Sequence, residues 1–454
     1  MWSDSFMDTH CFDIAPHVSD IVANRSLKDS LMVKLQTQRV PQRISVTDLI
    51  SLKRAYFRRK HPEIVPPLER QQLMWAGTGF HDIFGSIVSS EEYIEQFVEF
   101  EGVVGRIDIF ETVPVEVKTT TNLSEDADLR LKRPSYVEQL GIYCSMVDVD
   151  RGKIVVYQRG TPLELSAPLL VFNLKFSDLE AIKKEMIRRR DLLQEAIASD
   201  DPRKLPKCPW YDMRCEYSSV CDCEKSSIPT SYEIRDMVTD IVQDKETTQR
   251  FITKLLEQHP VELLRLNAIV FPRKTYFARL QQQDVIDEED ISSEEAERQL
   301  TSMDQQGFHR VLLHNILQYS TNGNVQRIPV NIAGIKDRIL LYNGIPTIVR
   351  VSRLKSIVER DQLPVVCSHY FLRLGFECAI GNNPNSRLIL YYHNIRQEDA
   401  KLMVYDVTFR KLDSLKAEIQ RRADLLYGVT KLDELPKCPS WMCNRCEYAR
   451  QCGC

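Results

Sequence analysis

Apolar positions recur with two rhythms along this chain. A spacing of three to four residues runs through Asp48–Lys60, the stretch around GFHDIFG, Tyr136–Met146 and Ser177–Ala198, and it predicts helices there. Apolar, β-branched runs at VVGRIDIF (103–110), VPVEVKTT (113–120), Lys153–Tyr157 and Leu169–Leu174 predict strands. A short turn at Glu111–Val113 folds the second of these strands back beside the first. The mixture is α/β, a small sheet flanked by helices. Residues 1–40 read as mostly helical and match no other part of the chain.

The same series of patterns is written twice. FSDLEAIKKEMIRRRDLL (176–193) matches FRKLDSLKAEIQRRADLL (409–426) without a gap. GRIDIFETVPVEVKTT (105–120) matches DRILLYNGIPTIVRVS (337–352), and GFHDIFGSIV (79–88) matches GFHRVLLHNI around His309. LISLKRAYFRR (49–59) pairs with the segment ending in FPRKTYFAR (271–279). LPKCPWYDMRCEYSSVCDC (205–223) pairs with LPKCPSWMCNRCEYARQCGC (435–454). The order is the same in both halves, so the sequence predicts two copies of one domain, 1–225 and 226–454. The acidic stretch 284–299 is an insertion in the second copy, read as a loop or solvated helix.

Composition narrows the classes. The chain has 454 residues, 43% hydrophobic and 27% charged, with 16 Gly and 21 Pro. That is globular material and excludes a collagen-like or linker-dominated chain. No run approaches the roughly 20 apolar residues of a membrane helix, and the first residues lack the basic and apolar regions of a signal peptide. A cytoplasmic protein is the expectation. The net charge of −4 excludes a globally basic surface, so nucleic-acid contact must come from local patches. Thirteen cysteines without an export signal argue against a disulfide framework, and nine of them fall in the two clusters. That arrangement points to metal. Cys11, Cys144, Cys367 and Cys378 stand alone and read as packing residues.

The first copy carries the candidate chemistry. Glu116 and Lys118 are two apart and share one face of a strand, and the turn brings that strand beside Asp108. Two carboxylates and one lysine then converge. Read alone, the trio fits either a salt-bridge cluster at a hairpin or a site for a hard cation such as Mg²⁺ or Mn²⁺. An ionised Glu–Lys pair within so apolar a strand is costly, which favours the second reading. Gln139 and Tyr143 stand at i and i+4 on one helix face, which a half-buried polar edge also explains. His81 is either structural or an imidazole ligand.

His81, G-x-x-D ending at Asp108, E-V-K-T at Glu116–Thr119 and Q-x-x-x-Y at Gln139–Tyr143 stand in the order of the RecB-like PD-(D/E)XK nucleases. With a cysteine cluster behind them, residues 45–225 resemble the iron–sulfur members, including the CRISPR adaptation exonucleases and AddB-type nucleases. The resemblance implies a restriction-endonuclease-like core, present twice. It implies that His81, Asp108, Glu116 and the Val117 carbonyl hold the divalent metal, that Lys118 orients the attacking water, and that Gln139 and Tyr143 position the strand or the lysine. It implies hydrolysis of DNA phosphodiesters, as an exonuclease preferring single-stranded or frayed ends, with a helicase, integrase or other DNA-processing protein as a possible partner.

Cys443-x2-Cys446-x5-Cys452 has the C-terminal triplet spacing of the iron–sulfur nucleases. Their fourth ligand lies upstream, where this chain has Phe271 in one copy and Leu52 in the other. Each cluster still supplies at least four thiols: Cys208, Cys215, Cys221 and Cys223, then Cys438, Cys443, Cys446, Cys452 and Cys454. Tetrathiolate coordination fits a [4Fe–4S] cluster or Zn²⁺. The resemblance favours two iron–sulfur clusters.

The second copy has lost the acidic groups. Asp108 corresponds to Leu340, Glu116 to Ile348 and Lys118 to Arg350, while a two-residue deletion sets Gln139 against His369 and Tyr143 against Arg373. Only His309 survives, opposite His81. An apolar pair cannot hold Mg²⁺, so this copy is expected to be folded and catalytically inert. Local basic segments, foremost Arg54, Arg58 and Arg59 in Lys53–Lys60, read either as solvated helix faces or as a DNA-binding patch. Tyr56, Phe57, Tyr276 and Phe277 beside such segments read first as core. The rival reading of the whole is a non-catalytic DNA-binding or assembly subunit made of two metal-stapled pseudonuclease folds.

Overall fold

The computed structural model describes residues 12–37, 40–121, 123–160, 167–208, 215–221, 228–257, 265–281, 293–318, 325–428, 432–438, 446 and 448–452. The chain divides into two compact units, each a mixed sheet flanked by helices. One contains Gln36–Glu257 and Asp287–Leu312, the other Met1–Leu35, Gln258–Ile286 and Leu313–Cys454. These units differ at their ends from the sequence halves 1–225 and 226–454.

Strand β1 (Val18–Ala23) belongs to the second unit. In the first unit, β2 (Ile44–Ser45), β3 (Ile94–Phe100), β4 (Val103–Phe110), β5 (Pro114–Thr120), β6 (Arg151–Gln158), β7 (Leu169–Phe176) and β8 (Val238–Gln243) form a seven-stranded sheet. β4 and β5 are antiparallel and β5 and β6 parallel, so a crossover must join the latter. It carries the helix Pro134–Met146. Side chains alternate along β6. Ile154 and Val156 join a core under the helices Leu52–Lys60, Pro134–Met146 and Leu179–Ser199. Val155 and Tyr157 join another beneath the helix Leu68–Val88, which bears GFH. Tyr56, Phe57 and Phe277 are buried, in line with the core reading.

The second unit repeats the design. Its strands are β9 (Val325–Ile332), β10 (Ile335–Tyr342), β11 (Ile345–Ser352), β12 (Asn385–Tyr392) and β13 (Leu402–Phe409), in the order β1-β13-β12-β11-β10-β9. The order β8-β7-β6-β5-β4-β3 of the first unit is the same, with β1 in the place of β8. Residues 12–35 therefore do have a counterpart: VSDIVA at Val18–Ala23 answers VTDIVQ at Val238–Gln243, and each strand is followed by a helix. The segment at the start of the chain completes the second unit, and the segment after the first cysteine cluster completes the first. Packing repeats the exchange, since Ile14 lies against Gly375 and Ile234 against Gly141.

The acidic insertion lies outside the described residues up to 292, and from Ser293 the chain is helical to Gln318. In the first unit this helix meets the GFH helix at their matching glycines, where a Cβ built on Gly79 would lie 2.1 Å from the Gly307 oxygen. Among the described residues no helix is long and apolar enough to cross a membrane.

Gly79→Ala should therefore force the two helices apart. We expect a loss of about 1–3 kcal/mol, the range for overpacked cores, measured by denaturant unfolding. Gly381→Ala, where an added Cβ meets nothing within 4 Å, is the control and should change little.

Candidate active site

The site opens where two strands part. β4 and β5 pair only at Ile109↔Val115 and Phe110↔Pro114. Farther along the same edge of β4, Val103 and Val104 pair with β2. The stretch between is occupied by side chains. Tyr143 lies so close to Gly105 that an added Cβ there would sit 2.5 Å from its ring, which is why GRID needs its glycine. Beyond the parting, the Val117 N–H donates to Asp108 Oδ2 at 2.7 Å instead of to a strand carbonyl.

Glu116 and Lys118 follow on the face of β5 that meets the helix Pro134–Met146. The Lys118 ammonium donates to Glu116 Oε1 and, at 3.0 Å, to Gln139 Oε1. Gln139 Nε2 donates to the same Glu116 oxygen at 2.7 Å. Glu116 is only 2% exposed, and its other oxygen, Oε2, is buried with no hydrogen-bond partner. His81, on the GFH helix, places Nδ1 3.6 Å from Asp108 Oδ2. The structure thus brings His81, Asp108, Val117, Glu116, Lys118, Gln139 and Tyr143 into one neighbourhood.

Electrostatics follow from that crowding. Burial, with the Asp108 carboxylate beside it, pushes Glu116 up to about 7. Burial also acts upward on Asp108, but His81, Lys118 and the Val117 N–H outweigh it and hold this carboxyl below its usual range. Burial works against the Lys118 charge, yet Glu116 and Asp108 raise it above the ordinary lysine value. Burial and then the two carboxylates raise the Tyr143 phenol, so it acts only as a neutral hydroxyl near pH 7.

Sequence reasoning missed Glu95. The register Ile94↔Ile109 and Gln96↔Ile107 sets it across from Asp108, in a left-handed backbone conformation with φ of 51°. Burial, then Asp108 and Asp82, raises its carboxyl. A polar run, EEYIEQ, gave no periodic signal for β3, and only the register shows what Glu95 faces.

The donor set suits a hard divalent cation. Two carboxylates close enough for Asp108 to raise Glu116, with a backbone carbonyl, are oxygen ligands, the imidazole adds a nitrogen, and Glu116 Oε2 is a buried acceptor with nothing to accept. Among the described residues no three His, Cys, Asp or Glu side chains already surround one point at ligand distance. Glu116 is turned instead to Lys118 and Gln139.

Beside Lys118 and Gln139 lies a cavity of about 280 Å³ that Arg54 and Arg58 also line. Arg59, named with them from the sequence, is used otherwise: it donates to Asp48 Oδ2 at 2.8 Å and to the Ala55 and Arg43 carbonyls. It locks the fold and does not line the cavity.

Of the thiols, Cys208 is buried and Cys215 and Cys221 are half-buried in the first unit. Cys438, Cys446 and Cys452 are described in the second unit, Cys452 against Phe277 and Tyr448. Cys223, Cys443 and Cys454 lie outside the described residues. Cys144, Cys367 and Cys378 are buried packing residues, and Cys11 lies outside.

In the second unit Ile348 is buried and Leu340 half-buried. The helix register differs from the sequence expectation. Gly141 and Gly375 are equivalent, since an added Cβ would come 2.9 Å from Phe176 in one and 3.1 Å from Phe409 in the other. Gln139 therefore answers Arg373, and Tyr143 answers Glu377, one helical turn from His369 and Arg373. The strand registers agree, Glu116 lying beside Ile154 and Ile348 beside Leu388, so the second copy has an insertion and not a deletion. Arg373 bonds to Asp337 at 3.0 Å and to Glu377 at 2.7 Å. Apolar side chains stand where the first copy has Asp108 and Glu116, and a paired guanidinium stands where it has Gln139.

No family model matches the chain, and no curated protein matches it. Among solved structures, one titled "Crystal structure of SSO0001" is similar at 18% identity over 44% of this chain and 96% of that one, with a TM-score of 0.29. A likeness that loose carries no argument about the site.

The raised Glu116 carboxyl makes a pH prediction for the metal-free protein. The folded chain holds this proton more tightly than the unfolded one, so the Glu116 contribution destabilises progressively as pH rises from about 4.5 to about 7, then levels off. Asp108 acts oppositely, but below its ordinary 3.8. Glu116→Gln should raise the unfolding midpoint at pH 8 in chelator, measured by thermal unfolding against the wild type.

Proposed function

We propose that the first copy is a metal-dependent deoxyribonuclease with a restriction-endonuclease-like core of the RecB-like kind, and that the second copy is its inert counterpart. The observation that carries this reading is Glu116, a buried carboxylate with one oxygen unbonded, beside Asp108 and bridged to Lys118 and Gln139. Glu377 of the second copy also has a bare buried oxygen but is bonded to the Arg373 guanidinium. At Glu116 the bare oxygen comes together with a second carboxylate, Asp108, and with an ammonium and an amide on the other oxygen, which is the combination that supports a cation site.

His81, Asp108, Glu116 and the Val117 carbonyl are the groups that would hold the cation. Bound Mg²⁺ or Mn²⁺ would supply Lewis-acid stabilisation of the phosphate and an acidified water. The chain's own residues supply the rest. Lys118 keeps its proton at neutral pH and, restrained by Gln139, presents a fixed ammonium to an attacking water or to the charge developing on phosphate. Tyr143 fixes the helix against Gly105 and thereby sets where Gln139 reaches. The cavity beside Lys118 has room for part of one strand and is lined by cations, which suits an unpaired DNA end better than a duplex. The cysteine clusters would be [4Fe–4S] staples, with Zn²⁺ the alternative, behind each copy.

Cleavage of end-labelled single-stranded DNA in Mn²⁺, with protein purified anaerobically, tests the proposal. Lys118→Ala should lower the rate by a factor of about 10² or more. Wild-type protein that cleaves nothing, or a Lys118→Ala variant that cleaves as fast, would sink it.

A further inference from the structure

Among the described residues, Arg54 and Arg58, which line the cavity beside Lys118, have no carboxylate to themselves. Arg58 and Arg59 share one carboxylate, Asp48, and Arg54 and Arg70 share another, Glu216. Both acids are 1% exposed, while the cavity-lining Arg54 and Arg58 keep 27% and 29% exposure. Among the described residues each cavity-lining arginine thus shares its carboxylate with a second arginine, and the lysine in the wall is paired with Glu116. Arg58 Nε is buried with no hydrogen-bond partner. Burial and the nearby Arg59 and Arg54 push the Arg58 guanidinium below its ordinary value. Thr47, Ser51 and Tyr136 add hydroxyls to the same wall.

We infer that this cavity receives the terminal phosphate monoester of a nucleic-acid strand. Two half-exposed guanidiniums, Arg54 and Arg58, facing one cavity suit a monoester, which carries about −1.5 to −2 near neutral pH, better than the single charge of an internal diester. A volume of about 280 Å³ is at the small end of ligand sites and suits one end group. Planar guanidiniums bind phosphate oxygens in pairs. The strand's identity rests on the nuclease reading; the phosphate site rests on the arginines. A strand end held here lies next to Lys118, so the site would select strands by whether their end is phosphorylated.

The test is fluorescence anisotropy with the full chain in chelator, so that hydrolysis plays no part. Single-stranded oligonucleotides would carry a 5′-phosphate, a 3′-phosphate or hydroxyls at both ends. A terminal phosphate at one of the two ends should tighten binding about tenfold, and the arm that does so identifies the end. Arg58→Gln and Arg54→Gln should each erase the preference. Asp48 keeps Arg59 and Glu216 keeps Arg70, so neither variant strands a buried carboxylate, and unchanged unfolding midpoints would verify this. Equal affinity for all three oligonucleotides, or a preference that survives both substitutions, would overturn the inference. A preference without cleavage in Mn²⁺ would leave it standing and remove the nuclease reading; cleavage without preference would do the reverse.

Discussion

A carboxylate buried on a central strand has to be neutralised, and most of the first unit's chemistry follows from how Glu116 meets that demand. Desolvating an isolated carboxylate costs several kcal/mol. Lys118 and Gln139 satisfy one of its oxygens and leave the other bare. Asp108, held by the Val117 N–H and facing His81, adds a second negative group close enough to make Glu116 hold its proton near neutrality. A cation at the bare oxygen would offset that negative charge. The parting of β4 and β5 makes room for the arrangement, and the Tyr143 ring over Gly105 fixes its far wall.

Below the site, the same architecture is used twice with different wiring. In the first unit Arg189 joins Glu138 and Glu185 in a buried network, and in the second Arg422 joins Glu418. Each arginine also reaches the carbonyl of the matching short helix, Leu49 in one and Ile269 in the other. The cysteine motif contributes beyond its thiols. Tyr217 of CEY stacks on Phe57, Tyr448 stacks on Phe277, and Glu216 grips Arg54 and Arg70. The cysteine segment is thereby tied to Arg54, which lines the cavity.

The long repeats were legible because matching helices and strands keep both spacing and residue type. So were Glu116 and Lys118, whose face-sharing follows from strand periodicity, and Asp108, which the short turn at Glu111–Val113 brings beside them. Other features were hidden for physical reasons. VSDIVA and VTDIVQ are short edge segments whose equivalence shows only when both are seen capping the same edge. Shifting a helix by four residues preserves its amphipathic pattern, so the pairing of Gln139 with His369 looked as sound as the true one with Arg373. Glu95 owes its place to register and a positive φ, and neither is written in composition. Arg59 could not be told from Arg54 and Arg58 because all three share one basic run, and only packing assigns it to Asp48.

The central claim is that Asp108 and Glu116 together form a cation site. Mn²⁺ binding measured by electron paramagnetic resonance, on wild type and on an Asp108→Asn/Glu116→Gln double variant, addresses it without depending on catalysis. The account predicts a bound ion in the wild type that the double variant lacks, while both proteins keep the same iron or zinc content. Equal Mn²⁺ binding by the two proteins would contradict it.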